Sequence, residues 1–260
     1  MKVRCITAPH YGDSAERFLQ IAENFDSEGT LIYDKRNALR TVQAAGHTLV
    51  VKRYKRPNIF QKITYSWFRP DKSKRAFSFA QQLLENGIDT PAPAACVEWR
   101  KGSLTQRYFF FCELTTATSL SEIETPGQPL PTDAAEAFVA FLAEMHSKGF
   151  MHGDANLSNI LFNKTPDGAF KFSVIDTNRS KWLKREPTVD ERVDNLMRVS
   201  HNRPLLQDVG RRYARLTGLD PEKFSAMLLR RLDSFEARKE RQASLKRIIR
   251  RLSGKSTAKD

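Results

Sequence analysis

A chain of 260 residues suits one two-lobed domain or two small ones and is long enough to enclose a core. Its 40% apolar and 10% aromatic content excludes a disordered chain, and 12 glycines with 12 prolines exclude a collagenous or low-complexity one. A net charge of +13 points to an anionic partner such as nucleic acid, an acidic membrane or a phosphorylated substrate, without choosing among them. Three cysteines at wide, irregular spacing (Cys5, Cys96, Cys112) give neither a disulfide framework nor a zinc cluster, so a reducing cytoplasm is expected. The start MKVRCITAPHYGDSAERF has no apolar run of signal-peptide length. Nowhere do about 18 apolar residues follow one another, so membrane contact is expected to be peripheral.

In chain order, Ser14 to Asn24 spaces Phe18, Leu19, Ile21 and Ala22 as a helix does, with Ser14 as its cap. Thr30 to Tyr33, Leu39 to Ala44 and Thr48 to Tyr54, split by the turn-rich DKRN and AAGH, read as an antiparallel meander. Asp71 to Asn86 reads as a helix closed by Gly87. Proline then forbids more helix in TPAPAACVEW, and strands over Ala94 to Trp99 and Arg107 to Leu114 complete a first lobe. Thr132 to Ser147 sets Phe138, Phe141, Leu142 and Met145 at i, i+3, i+4 and i+7, a buried helix with Thr132 as cap and Gly149 past its end. It runs into FMHGDANLSNILFN, a hairpin around TPDGAFK, and the strand FSVID. Helices fill the remainder to about Phe235.

Chemistry concentrates in His152, Gly153, Asp154 and Asn159, an H-x-D-x-x-x-x-N pattern followed by a strand that ends on Asp176. Phosphoryl transfer needs that set: a carboxylate to accept the attacking hydroxyl's proton, and oxygen ligands to hold magnesium on the phosphates. Asp154 suits the first role, Asn159 and Asp176 the second. Lys52, at the end of LVVK in the third strand, stands where a kinase places its phosphate lysine. Taken singly, each has an ordinary reading. Lys52 is also an edge-strand residue, Asp154 an Asx-turn residue, Asp176 a turn cap after a strand, and His152 a loop-ordering residue rather than a proton shuttle. The ordered set from strand lysine to strand aspartate is what favours catalysis.

With LVVKRYKRPN, LLENGIDTPAPA, HGDANLSNILF and FSVIDTNRSKW, the chain resembles the Kdo/WaaP lipopolysaccharide kinase family of the protein-kinase-like superfamily over about Gly29 to Asn202. DTNR resembles the family's replacement for D-F-G. The resemblance implies an α+β, two-lobed protein-kinase-like fold with an N-terminal antiparallel-sheet lobe (1–114) and a mainly helical C-terminal lobe (115–235), beyond which the residues read as a basic amphipathic tail (236–260). It also implies ATP and Mg2+ as cofactors, Lys52, Asp154 and Asn159 as catalytic residues, and Asn159 and Asp176 as the metal ligands. Lys52, Glu113, Thr115, Asn159 and Asp176 would bind nucleotide, with Glu113 to Thr115 as the hinge that meets adenine. The acceptor implied is a lipid-linked phosphosugar, Kdo or heptose of the inner core. Two positions depart from the kinase pattern. The loop DKRNALR lacks the phosphate-loop glycines, leaving backbone and Arg36 to cover the phosphates. The helix position aligned with the glutamate partner of Lys52 holds Ser78, so Glu85, Gln81 and Gln82 are the candidates to face it.

The positive charge sits in two segments, 52–75 with a net +8 and 230–260 with a net +7. The first interleaves Tyr54, Phe60, Tyr65, Trp67 and Phe68. The second spaces Leu245, Ile248, Ile249 and Leu252 on one helical face. Each is a solvated basic face or a contact with an anionic membrane surface, and interfacial aromatics with a basic amphipathic helix favour the membrane. The expected location is cytoplasmic, peripheral on the cytoplasmic face of the inner membrane. No nucleic-acid fold signature accompanies the charge, so nucleic acid is not favoured. A Ser/Thr/Tyr protein kinase would use the same residues, although TNRSKWLKREPTVDE is short and has no A-P-E. A pseudokinase that binds a membrane or partner is the other alternative, against which the retained set argues.

Overall fold

The computed structural model describes residues 1–58, 71–102 and 104–252, with side chains described to 248. The chain divides into two compact units: Met1–Leu120 with His152–Asp154 and Ser158–Lys181, and the remainder, Ser121–Met151, Ala155–Leu157 and the chain from Trp182.

The first unit is built on a six-stranded antiparallel sheet of β1 (Lys2–Thr7), β2 (Thr30–Asp34), β3 (Ala38–Ala44), β4 (His47–Arg53), β5 (Pro93–Lys101) and β6 (Leu104–Glu113), in the order β1-β5-β6-β4-β3-β2. The meander β2–β4 and the β5–β6 pair stand where the sequence pattern predicts them. Strand β1 was not predicted: KVRCIT alternates charged and apolar residues, is largely exposed, and becomes a strand by pairing Lys2↔Arg100 through Thr7↔Ala95 at the sheet edge.

Strand alternation gives each face of the sheet its own cover. On one face, Val97, Trp99, Phe109 and Phe111 meet Phe18, Ile21 and Phe25 of the first helix and its exit, α1 (Ala15–Glu23). Helix α2 (Lys72–Glu85) packs on β5 and β6 and on the Thr177–Arg179 turn. The buried Asp71 starts α2 by accepting bonds at Oδ1 from Ser73 N (2.8 Å) and Lys74 N (3.1 Å), and Asn86 and Gly87 (φ +66°) end it. The predicted caps at Ser14 and Thr132 are corrected. Ser14 ends a 3-10 turn and makes no capping bond, while Thr132 is the first helical residue behind Pro131.

A smaller sheet of β7 (Thr118–Ser119), β8 (Ile160–Lys164) and β9 (Phe170–Val174) carries the predicted hairpin. The segment leaving α2 holds β9 in place: Val174 N donates to Asp89 O (2.9 Å) and Thr90 Oγ1 to Val174 O (2.7 Å), two residues before Asp176.

The second unit is helical, with α3 (Thr132–Ser147), α4 (Val189–Leu196), α5 (Arg203–Leu216) and α6 (Pro221–Leu252). Phe138, Leu142 and Met145 are buried as their spacing predicts. His146 is also buried, between Tyr213 OH (2.7 Å from Nδ1) and Asn195 Oδ1 (3.1 Å from Nε2), and burial pushes its pKa down to about 4, so the ring is neutral. Helix α6 runs unbroken through position 235, so the basic tail continues a packed helix rather than following one. Leu245 and Ile248 are exposed on it, whereas the tail side chains from Ile249 on, Leu252 included, lie outside the described residues.

Candidate active site

Strand β4 aims Lys52 at Asp176. Its Nζ lies 3.1 Å from Asp176 Oδ1 and 5.3 Å from the Tyr54 ring centroid, two residues on along the same face. Tyr54 is buried against Tyr108, and its hydroxyl accepts a bond from Asn178 Nδ2 (3.2 Å). Tyr54 is therefore corrected from an interfacial aromatic to a packing residue of the site, and Phe60, Tyr65, Trp67 and Phe68 lie outside the described residues. Asn178 Nδ2 is also 3.1 Å from Asp176 Oδ1, so one amide ties β4 to the turn that bears the carboxylate.

Asp176 sits in the left-handed region (φ 55°, ψ 49°), which costs a non-glycine residue about 1–2 kcal/mol. Burial alone would raise its pKa. The Lys52 ammonium and the Asn178 amide outweigh burial and hold the carboxyl below its ordinary value.

Asp154 follows a loop that is fastened at several points. His152 is fully buried; its Nε2 donates to Ile175 O (2.9 Å) while Nδ1 accepts from Asp154 N (3.3 Å). Burial lowers its pKa, so the neutral ring acts as a brace, as its sequence context suggested. Ser180 Oγ donates to His152 O (2.7 Å), Asn159 Nδ2 to Asp154 O (2.9 Å) and Ile175 N to Asn159 O (3.0 Å). Through these bonds the H-x-D-x-x-x-x-N loop and the strand that ends on Asp176 become one piece. The first unit thus brings together Lys52, Asp154, Asn159 and Asp176.

Two cations here were not singled out from the sequence. Arg179 Nη1 lies 3.1 Å from Asp154 Oδ2. Lys72, the first residue of α2, has its pKa lowered by burial and by the charge of Arg36, with Asp176 acting against them and Lys52 and Arg179 adding to them, so it stands within the field of the site. Lys52 makes its ion pair with Asp176, and the end of α2 nearest the site brings a cation. Ser78, Gln81, Gln82 and Glu85 lie further along that helix.

The hinge residues lie where β6 ends. Glu113 N donates to Ala92 O (2.9 Å) and Leu114 N to Thr48 O (3.0 Å). The Glu113 carboxylate accepts from Tyr11 OH (2.7 Å) and Thr115 Oγ1 from Ala117 N (3.1 Å). Those two amides are thus already paired within the protein.

Behind the site, Glu98 of β5 faces Asp71, the cap of α2. Burial first, then the hydrogen bond and charge of Asp71, push its pKa up to about 7. A raised carboxyl pKa gives native-state stability that is complete below the ordinary value and lost as pH rises through about 7. Glu98→Gln keeps a neutral donor beside Asp71. Thermal midpoints measured from pH 4 to 9 are expected to show the variant gaining on the wild type as pH rises toward about 7 and keeping that gain above it; curves parallel over the whole range would contradict the shared proton.

Fold and residue set are those of the protein-kinase-like class: an antiparallel sheet with a strand lysine, an H-x-D-x-x-x-x-N loop and a strand-borne aspartate. Residues 30–219 match the lipopolysaccharide kinase (Kdo/WaaP) family, and the chain belongs to that family. A 3-deoxy-D-manno-octulosonic acid kinase of Vibrio vulnificus (strain YJ016) is 29% identical over 127 residues, 47% of this chain and 53% of that protein. Another, from Vibrio parahaemolyticus serotype O3:K6 (strain RIMD 2210633), is 25% identical over 165 residues, 62% of this chain and 65% of that protein. The chain thus spans about half to two thirds of the length of these curated relatives. A solved structure of WaaP in complex with acyl carrier protein shares the fold, with a TM-score of 0.54 and 18% identity over 94% of this chain and 98% of that one.

Proposed function

We propose that the chain is an ATP-dependent kinase that transfers the γ-phosphate to a hydroxyl of an inner-core lipopolysaccharide sugar, Kdo or heptose, on a lipid-linked acceptor at the cytoplasmic face of the membrane. The observation that carries this reading is the Lys52–Asp176 pair at 3.1 Å, fastened to the loop that bears Asp154 and Asn159. Asp154 would accept the proton of the attacking hydroxyl, and its neighbour Arg179 orients that carboxylate. Lys52 and Arg179 supply positive charge where negative charge builds on the transferred group, with Lys72 and Arg36 behind them.

The donors present fit magnesium. Asp176 offers a carboxylate held ionised, with Lys52 and Asn178 both on Oδ1, and Asn159 turns its Nδ2 toward Asp154 O, which directs its amide oxygen elsewhere. Magnesium, when bound there, would neutralise charge on the phosphates. Membership of the family and the Kdo kinase relatives support the sugar acceptor.

The test is phosphate transfer from ATP with inner-core lipid, free sugar and a generic protein as competing acceptors. Label on the lipid-linked sugar is the expected result. Label chiefly on protein would favour a protein kinase, and ATP binding without transfer to any acceptor would favour a pseudokinase. For the membrane, the exposed Leu245 and Ile248 in a basic helix support a peripheral contact. A chain ending before Arg238 is expected to sediment less with anionic vesicles while binding ATP as before; equal sedimentation would remove the tail from that role.

A further inference from the structure

Lys52 and Arg53 are neighbours on β4 and so point to opposite faces of the sheet. Lys52 joins Asp176 and Tyr54. Arg53 instead stacks 4.3 Å from the Phe25 ring centroid and bonds Asp26 Oδ1 (2.7 Å). On β6 the same alternation puts Tyr108 with Tyr54 on the first face, and Arg107 with Phe109 on the second. Where the exit of α1, the β2–β3 turn and the ends of β4 and β6 meet, the second face has a cavity of about 360 Å³, within the usual range for small-molecule sites. Arg53, Lys55, Arg56 and Arg107 line it over Phe25 and Phe109.

Arg107 is the unusual member. Its guanidinium lies 4.0 Å from the Trp99 ring centroid, and its Nε is buried with no hydrogen-bond partner among the described residues. Burial disfavours its charge, Glu23 opposes that, and Arg56 and Arg53 add to it. The Glu23 carboxylate offsets part of this, and the unpartnered Nε with two further guanidinium groups beside it leaves room for an anion to complete the group. Lys55 N donates to Asn37 Oδ1 (3.2 Å), which joins the β2–β3 turn to β4 around the cavity. Glu23 and Asp34 also line it and offer acceptors that suit hydroxyl groups.

We propose that this cavity is a second anion site, separate from phosphoryl transfer, that takes a phosphate monoester of a sugar or polyol. The guanidinium groups hold the phosphate and the carboxylates its hydroxyls. Arg36 and Tyr54 also border the cavity, at the edge it shares with the transfer site, but Arg53 and Arg107 face away from Lys52, so the phosphate they hold is not the one that meets the Lys52–Asp176 pair.

The experiment is calorimetric titration of the full chain at low salt with glucose 6-phosphate, inorganic phosphate and glucose. Wild type is compared with Lys52→Met, Arg56→Gln and Arg107→Gln, with thermal midpoints recorded for each. Wild type and Lys52→Met are expected to bind glucose 6-phosphate equally, inorganic phosphate more weakly and glucose not at all. Arg56→Gln and Arg107→Gln should each weaken binding about tenfold or more, as loss of a charge-assisted contact does. Arg56 is exposed, so its variant should keep the wild-type midpoint and separates lost binding from lost folding. Loss of binding in Lys52→Met, unchanged binding in both arginine variants, or no binding by wild type at millimolar ligand would each overturn the proposal. Vesicles containing phosphatidic acid form a parallel arm. If only they bind, and do so through Arg56 and Arg107, the phosphate belongs to a lipid headgroup and the soluble phosphosugar is overturned.

Discussion

Asp154→Asn is expected to slow phosphoryl transfer by about a thousandfold, within the range of about 10² to 10⁴ that a positioned general base contributes, while nucleotide affinity changes little. The substitution is isosteric, and the bonds that shape the loop use the backbone of residue 154: its N–H meets His152 Nδ1 and its carbonyl accepts from Asn159. What it removes is the basic oxygen and the charge that pairs with Arg179. Lys52 and Asp176 lie on other elements and keep their pair, so the part of the site proposed to meet phosphate stands. Single-turnover transfer measured beside equilibrium nucleotide binding separates the two. A variant within tenfold of wild type in transfer would remove Asp154 as the base. A variant that lost nucleotide binding to the same degree would make it a binding residue instead.

The parts of the site legible in the sequence are those whose geometry is local. H-x-D-x-x-x-x-N can be read because Asp154 and Asn159 bond within one loop, and Asp176 because a hairpin and a short strand lead straight to it. Helix α2 could be read at both ends, since Asp71 and Asn86–Gly87 carry their capping chemistry in their own side chains and backbone preferences. Arg179 gave no such signal. Its partner is 25 residues away, and nothing in DTNR says which way the guanidinium turns. In sequence Lys72 and Tyr54 are members of a basic, aromatic-rich segment, but strand pairing puts Tyr54 under Lys52, and the docking of α2 on the Thr177–Arg179 turn brings Lys72 into the field of Asp176. Composition along a segment cannot show on which side of a sheet each residue falls; the alternation of β4 does, and it sends Lys52 and Arg53 to different chemistry. Strand β1 was missed for a related reason: as an edge strand, much of it in contact with water, it has no buried stripe to betray it.

Gly153→Ala is expected to cost more than any other single methyl group added to the site. Gly153 has φ +70°, which alanine adopts only at about 1–2 kcal/mol, and a Cβ there would stand 2.2 Å from Arg179 O and 2.7 Å from Arg179 C. Those are backbone atoms of a turn pinned on both sides, by Ser180 Oγ on His152 O and by Ser180 N on Thr177 O. The contact can be relieved only by moving the Thr177–Arg179 turn off the loop, which pulls Arg179 from Asp154 and disturbs Asn178 and Asp176 with it. The glycine of HGD is thus required because two backbone segments cross there without room for a side chain. Gly168, in the β8–β9 hairpin, is a matched control: its φ is +86° and a Cβ there meets nothing within 4 Å. Gly168→Ala should lose about 1 kcal/mol from backbone strain and retain activity. Gly153→Ala should lose at least about 3 kcal/mol, strain plus clash, together with most transfer activity. Urea unfolding of both variants beside transfer assays reads the difference. If the two lost equal stability and Gly153→Ala stayed active, the close crossing of the loop and the Arg179 turn would not be what holds Asp154 in place.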